Sequence, residues 1–421
     1  MKLAAPFASR RGKLLIDGMD LTSIAKKYGT PLLVTSENRL RENCRRLKGA
    51  FDRNYSYSAF KYAIKANPNP KIVSIIADEG FGADASSTAE IEFALASGMK
   101  RDDILFSPNY ASGQELVHAL KEGVAINFDD LGQFEALSRF GVPKVVSFRL
   151  NPGFGSGEFP GIVTGGPSAK FGIPPAYIEK AYGIAKDEGV ERFGIHMMTG
   201  SNVLDPKYFA DITSKMLKTA GRISKSVGIG FEFVDIGGGF GVPYRTGEKE
   251  LDIERTARIV ADSFRKGCER YGLEKPRLMV EPGRYLVADT TVLLGTVNHV
   301  KRYAKTFIGT DVGMNTLLRP ALYGAYHEVA LANRMKAKVL ERASVTGEIC
   351  ENTDVIAKDR VLPVARDGDV VAFFNAGAYV YGMSSNYNSS PRPAEALIRS
   401  SGRVALIRRR ETIKDLFSTL V

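Results

Sequence analysis

Two hydrophobic patterns alternate between residues 58 and 284. Short strand-like runs stand at SAFKYAIKA (58–66), GFGADAS (80–86), DILFSP (103–108), VAINFDD (124–130), VVSFRLNP (145–152), FGIHMMTG (193–200), FEFVDIGGG (231–239) and RLMVEPGR (277–284). In the first run Phe60, Tyr62 and Ile64 alternate as on a strand with one buried face, and Lys65 falls on the other face at the strand's end, just before an Asn/Pro break. Helical spacing fills the gaps. Asp205 and Pro206 read as an N-cap with proline at the first helical position, and Phe209, Ile212, Met216, Ala220, Ile223 and Val227 then share one face. SSTAEIEFALASG sets Ser/Thr ahead of a Glu-containing helix and Gly98 near its end. Eight such strand–helix units over roughly 230 residues match a (β/α)8 barrel, with an open doubly wound sheet as the competing arrangement.

After about residue 285 the pattern changes. TTVLLGTVNHVK, KAKVLERASVTG, DVVAFFNAGAY and RVALIRR are strand-like, with no long helix between most of them. GKLLIDG and TPLLVTS near the start are strand-like too. The expected architecture is α/β: a barrel over residues 36–285 and a mostly β domain, a sandwich or barrel, built from 286–421 and completed by 1–35.

Composition refines this picture without changing it. The 421 residues are 44% apolar and 25% charged, the balance of a globular chain long enough for two cores. The start, MKLAAPFASRRGKLL, has an apolar run broken by Pro6 and followed by Arg10 and Arg11, too short for an export signal. No stretch approaches the roughly 20 apolar residues of a membrane helix, so a cytoplasmic protein with no membrane partner is expected. Of three cysteines, Cys44 lies in a helical stripe with Leu40, Leu47 and Phe51, and Cys268 in one with Ile253, Ala257, Val260, Phe264 and Tyr271. Both read as core residues, and a disulfide framework is not expected. Cys350, in GEICEN, fits no stripe. The net charge of +11 is spread along the chain, and the tightest cluster, Arg408–Arg410, alternates with no aromatic residue. This argues against nucleic acid and for a surface that attracts small anions.

Polar residues gather where the strand runs end: Lys65, Asp84, Asn109, Asp129, Arg149, Asn151, His196, Gly237–Gly239, Glu281 and Arg284. In a barrel these ends form the catalytic face. Lys65 there is either an ion-pair partner or a nucleophile that forms an imine with a carbonyl. Gly237–Gly239 read as a tight turn or as a phosphate cradle after the seventh strand. Glu281, closing the eighth, could keep a pyridine nitrogen protonated. An imine-forming lysine, a phosphate cradle and a pyridinium partner are the parts a protein supplies to pyridoxal phosphate.

The motifs YAIKAN, GFGADASS, GIHMMTGS, DIGGGFGVPY, EPGRYLVA, DVGMNTLLRPALYGAYH, GEICENTDVIAKDRVLP and GAYVYGMSSNYNSSPRP occur in this order over nearly the whole chain. Together they resemble the diaminopimelate decarboxylase family, within the alanine-racemase-like (fold type III) class of pyridoxal 5′-phosphate enzymes. The resemblance implies that Lys65 carries the cofactor as an imine. Gly237, Gly238 and Gly239, with Glu281, Gly283 and Arg284, would hold its phosphate and pyridine, and Asp84, His196, Ser201 and Tyr379 complete the cofactor set. Arg284, Arg319 and Tyr323 would bind the substrate's distal carboxylate, Tyr379 would also touch the substrate, and Glu351 would receive its distal ammonium. Cys350 would protonate the carbanion left by carbon dioxide. It also implies that Cys350 and Glu351 come from the partner subunit of a homodimer with shared active sites, and that no metal is needed.

The sequence departs from the family pattern at two places. The family places a ring-stacking histidine two residues after the first histidine of the sixth-strand motif, and this chain has Met198 there, which can pack on an aromatic face but cannot carry a proton. GFGSGEFPGIVTGGPSAKFGI (153–173) keeps the TG and KFG portions of its motif but lacks an upstream histidine. The expected reaction is decarboxylation of meso-2,6-diaminopimelate to L-lysine. The alternatives are decarboxylation of ornithine, lysine, arginine or carrier-bound glutamate, racemisation, and a binding or regulatory homologue without catalysis. A non-catalytic homologue would be expected to have lost the lysine, the glycines or the thiol, and a racemase to use a tyrosine opposite the lysine rather than the CEN loop.

Overall fold

The computed structural model describes residues 3–159, 161 and 163–421, so Pro160 and Ile162 of the 153–173 motif lie outside the described residues. The chain forms two compact units. One is a barrel unit, Asn43–Val242 with Lys249–Tyr285. The other, the β unit, combines the chain up to Glu42, Pro243–Glu248 and Leu286–Val421.

In the barrel unit all eight expected strands form, each shorter than its apolar run: Ser58–Ala63, Gly82–Ala85, Ile104–Phe106, Ala125–Phe128, Val146–Arg149, Phe193–His196, Phe233–Asp235 and Arg277–Val280. They pair in parallel in chain order, and the last returns to the first to close the barrel. The open-sheet alternative is thereby excluded. Local signals set the helices. Asp205 accepts from the Lys207 amide and Pro206 opens helix Pro206–Ile223, which buries Phe209, Ile212, Met216, Ala220 and Ile223. A π-turn, Ser224–Gly228, follows, so Val227 lies past the helix proper and is only half-buried. Helix Ile253–Tyr271 buries Ile253, Ala257, Val260, Phe264 and Cys268. Cys44 is buried as well, and both thiols are free.

The first strand differs from the one-sided pattern read above. All six of its residues are buried, and it stops at Ala63, so Lys65 stands in a one-turn 3-10 helix, Ile64–Ala66. Lys61 shares a strand face with Ala59, which clusters with Leu105, Phe233 and Met279 of three other strands, so Lys61 points into the barrel. The residue is 4% exposed, and its ammonium lies 3.8 Å from Asp103 Oδ1. Burial pulls its pKa from 10.5 to about 8 against the charge of Asp103; Arg277 adds to the shift, and Asp235 and Asp102 oppose it. Across that window the unfolded chain binds more protons, so this residue makes stability rise with pH, and at neutral pH the buried charge costs about 3 kcal/mol. Lys61→Met is accordingly expected to be more stable at pH 7 by about 1–3 kcal/mol, with a smaller difference above pH 10. Urea melts at the two pH values check this, and an equal difference at both would refute it.

In the β unit, Leu32–Ser36 pairs antiparallel with Thr291–Arg302 and parallel with Ala394–Ile398, so the N-terminal segment lies inside the sheet. Strand alternation gives the sheet two cores. Leu33, Leu293, Val297, Val371 and Phe373 face one side; Leu32, Val34, Val292, Leu294 and Ala396 face the other. Four strands carry weaker signals than those named above: Thr306–Thr310, Val329–Leu331, Val355–Pro363 and Ala394–Ile398. No helix among the described residues is long and apolar enough to cross a membrane.

Candidate active site

The C-terminal strand ends of the barrel unit bring Lys65, Asp84, His196, Asp235 and Glu281 together. Lys65 Nζ donates to Asp84 Oδ2 at 2.7 Å, and His196 Nε2 lies 3.1 Å from Glu281 Oε2. Asp84, His196, Asp235 and Glu281 are each at most 5% exposed. Three carboxyl groups this close cannot all ionise in a dry site, and their partners decide which does. Burial pushes Glu281 up, but His196, Lys65 and Arg149 outweigh it and hold the carboxyl below its usual value. Asp235 has one backbone donor, the Gly237 amide at 2.8 Å, and burial beside the Glu281 charge raises it well above normal. Burial and Glu281 also raise Asp84, against the pull of Lys65. The surroundings therefore favour the charged form of Glu281 and the protonated form of Asp235. The ligand atoms of His196, Asp235 and Glu281 lie within 4.8 Å of one another.

Gly237, Gly238 and Gly239 shape the turn after the seventh strand. Gly237 and Gly239 have φ of 73° and 91°, and a Cβ on Gly238 would stand 2.1 Å from the Glu281 carbonyl oxygen. Only glycine fits between these backbone segments. The Gly238 amide donates to Met198 Sδ at 3.2 Å, so the thioether at the expected histidine position packs on this turn. Arg284 Nη2 donates to Ser201 Oγ at 3.2 Å, and Gly283 is buried beside it. The other strand-end polar residues hold loops. Asn151 bonds Gly166 and Phe171, Asn109 and the Gly172 amide bond Asp129, and Arg149 reaches the carbonyls of Thr164 and Met198.

The β unit carries the remaining candidates. Arg319 is 2% exposed, with its guanidinium 4.8 Å from the Tyr244 ring centre and Nη1 3.0 Å from His327 Nε2. His327 Nδ1 lies 2.8 Å from the Phe374 carbonyl oxygen, which can only accept. The ring proton is thus on Nδ1, and Nε2 accepts from Arg319. No carboxylate lies within ion-pair distance of Arg319 among the described residues. His327, Tyr244 and Asp235 all fall within the motifs quoted above, but the sequence assigns none of them a role, and the fold alone sets Tyr244 beside His327. Tyr323 is half-buried. Tyr379 has φ of 58° between buried neighbours, a conformation side chains rarely adopt and one common at functional sites. Cys350 and Glu351 are exposed on the 347–354 loop, which the Asp354 carboxylate ties through the Ile349 and Met314 amides. Tyr387 and Thr353 hydroxyls hold Glu351 at 2.7 and 3.2 Å.

The sequence profile of the family described as "Pyridoxal-dependent decarboxylase, pyridoxal binding domain" matches residues 37–288. The chain is 44% identical over 407 residues to the diaminopimelate decarboxylase of Methanothermobacter thermautotrophicus, covering 96% of this chain and 95% of that protein. It belongs to the diaminopimelate decarboxylase family. The homologous enzyme of Thermoplasma acidophilum is also 44% identical, over 96% of both chains. The crystal structure of diaminopimelate decarboxylase from Methanocaldococcus jannaschii in co-complex with L-lysine superposes with a TM-score of 0.90 at 33% identity, covering 99% of this chain and 98% of that one.

Members of this family are pyridoxal-phosphate-dependent decarboxylases, and the barrel unit fits that cofactor. The glycine turn carries no side chain that would block a phosphate. Glu281 Oε1, buried and without a hydrogen-bond partner among the described residues, is charged as a pyridinium nitrogen requires. Lys65, with Asp84 beside it, supplies a primary amine.

Proposed function

We propose that this decarboxylase converts meso-2,6-diaminopimelate to L-lysine and carbon dioxide, as a cytoplasmic homodimer with shared active sites. The observation that carries the substrate is Arg319: a buried guanidinium, oriented by His327, with no acidic partner among the described residues. Such a charge is stable only with an anion to pair with. A distal carboxylate is that anion, and Glu351, held by Tyr387, is the counter-charge for a distal ammonium.

When bound, the cofactor supplies an electron sink for the pair left by departing carbon dioxide. Lys65 would hold it through Nζ, Gly237–Gly239 with Ser201, Gly283 and Arg284 its phosphate end, Glu281 its ring nitrogen, and Asp84, His196 and Tyr379 its remaining edges. Glu281 contributes a fixed negative charge because His196 keeps it ionised. Arg284, Arg319 and Tyr323 bind the distal carboxylate, and with Tyr379 they orient the substrate. Cys350 Sγ of the partner subunit delivers the proton to the carbon that lost carbon dioxide.

The test is carbon dioxide release by the cofactor-loaded protein, offered meso-diaminopimelate beside lysine, ornithine and arginine in both stereochemical forms. Release from diaminopimelate, with lysine as product, is the expected result. Turnover of only another amino acid would reassign the substrate. Glu351→Ala should slow diaminopimelate more than a substrate lacking the second amino-acid head; equal losses would remove the ammonium role.

His327 adds a prediction of its own. His327→Phe leaves Arg319 without its acceptor and should raise KM for diaminopimelate about tenfold, with kcat little changed. Gln at this position offers an acceptor again and should recover most of the loss. An equal fall in kcat for both variants would show a general folding role instead.

A further inference from the structure

Lys61 takes no part in this chemistry, yet the barrel holds its charge at a cost. A residue that costs stability without serving the known site marks a second function. It lies at the floor of a cavity of about 920 Å³, lined by the residues that open the barrel strands, at the end opposite Lys65. The cavity is large enough for a ring-sized ligand. Gly82, across the strand pair from Lys61, has no side chain, and a Cβ there would lie 3.0 Å from the lysine's Nζ. Asp103 faces Nζ at 3.8 Å, too far for a hydrogen bond and near enough for proton transfer after a small movement. Lys144, Lys275 and Arg277 line the cavity and make no ion pair among the described residues; Asp102, Glu191, Glu232 and Glu274 line it too, with Glu232 already paired to Arg192. Burial holds the Lys61 ammonium near 8, so a usable share is the free amine at neutral pH.

We propose that Lys61 is a second imine-forming lysine, and that this cavity takes small aldehydes carrying an anionic group. The Nζ lone pair attacks the carbonyl carbon. Asp103 carries the two nitrogen protons in turn to the carbonyl oxygen: the first gives the carbinolamine, and the second lets that oxygen leave as water while the C=N bond forms. Atoms and charge balance with no other reactant. Lys144, Lys275 and Arg277 pair with the anionic group.

The test uses holoenzyme whose Lys65 site is filled. A further equivalent of pyridoxal 5′-phosphate is added, imines are fixed with borohydride, and adducts are located by peptide mass mapping. The expected result is a second adduct at Lys61 before exposed lysines are labelled. Lys61→Met should lose that adduct while keeping the first one and normal turnover. Asp103→Asn should slow Lys61 labelling several-fold. Salicylaldehyde, which lacks the phosphate, should label Lys61 more slowly. A second equivalent spread over surface lysines, or retained in Lys61→Met, would overturn the proposal; equal rates for the two aldehydes would overturn the anionic requirement. The Lys65 adduct and diaminopimelate turnover are read separately, so a wrong substrate assignment would not imitate either result.

Discussion

Lys65→Ala is expected to abolish both the cofactor's imine absorbance and turnover of diaminopimelate, by at least about 10⁴-fold, the scale of losing a covalent catalytic group. The side chain makes a short ion pair to Asp84, which is 1% exposed. Alanine removes the amine but leaves the 3-10 turn and the strand before it intact, so the protein should fold and elute as the wild type does. The absorbance separates chemistry from collapse: a folded variant that still binds the cofactor, without the imine band, assigns the amine. Retained turnover would sink the assignment. The same variant tests the shared site. Cys350 and Glu351 are exposed on their own chain, which suits groups that act in a partner's site. Mixing inactive Lys65→Ala with inactive Cys350→Ala should restore about a quarter of wild-type activity, because half the dimers become mixed and each has one complete site. No recovery would place the thiol and the lysine in the site of one chain.

The order of strands and helices was legible because each barrel strand carries a continuous or alternating apolar run bounded by a turn, and each helix a stripe such as Phe209–Ile223. Polar residues at strand ends were legible as a set because barrel topology gathers them whatever their spacing. What local pattern could not supply was pairing. Nothing about Asp235 in DIGGG shows that it is the carboxyl that keeps its proton; that follows from His196 and Lys65 lying nearer Glu281. In sequence Lys61 falls on the face opposite Phe60, Tyr62 and Ile64, and only barrel closure shows that both faces of that strand are covered. His327 and Tyr244 are 83 residues apart and meet at 5.4 Å only in the folded β unit.

Glu281→Gln is expected to lower kcat about 10²- to 10³-fold while leaving the imine absorbance and KM nearly unchanged. That range is the usual effect of removing one preorganised electrostatic partner from a water-excluded site. Glutamine keeps the shape and can still accept from His196, so what is lost is the charge. The charge matters because a ring nitrogen next to a carboxylate stays protonated and withdraws electrons, whereas an amide gives that proton no counter-charge. Acidity adds a second readout. Glu281 is held below its usual 4.5 by His196, Lys65 and Arg149 against its burial, so its contribution to stability is present above 4.5 and is lost only as pH falls through the lower folded value. The carboxylate is therefore charged wherever the enzyme works, and the acid limb of the kcat profile belongs to another group. Glutamine should lower the whole profile without moving that limb. A limb that shifts with Glu281→Gln would mean that the carboxyl titrates in the working range, and that His196 does not hold it ionised.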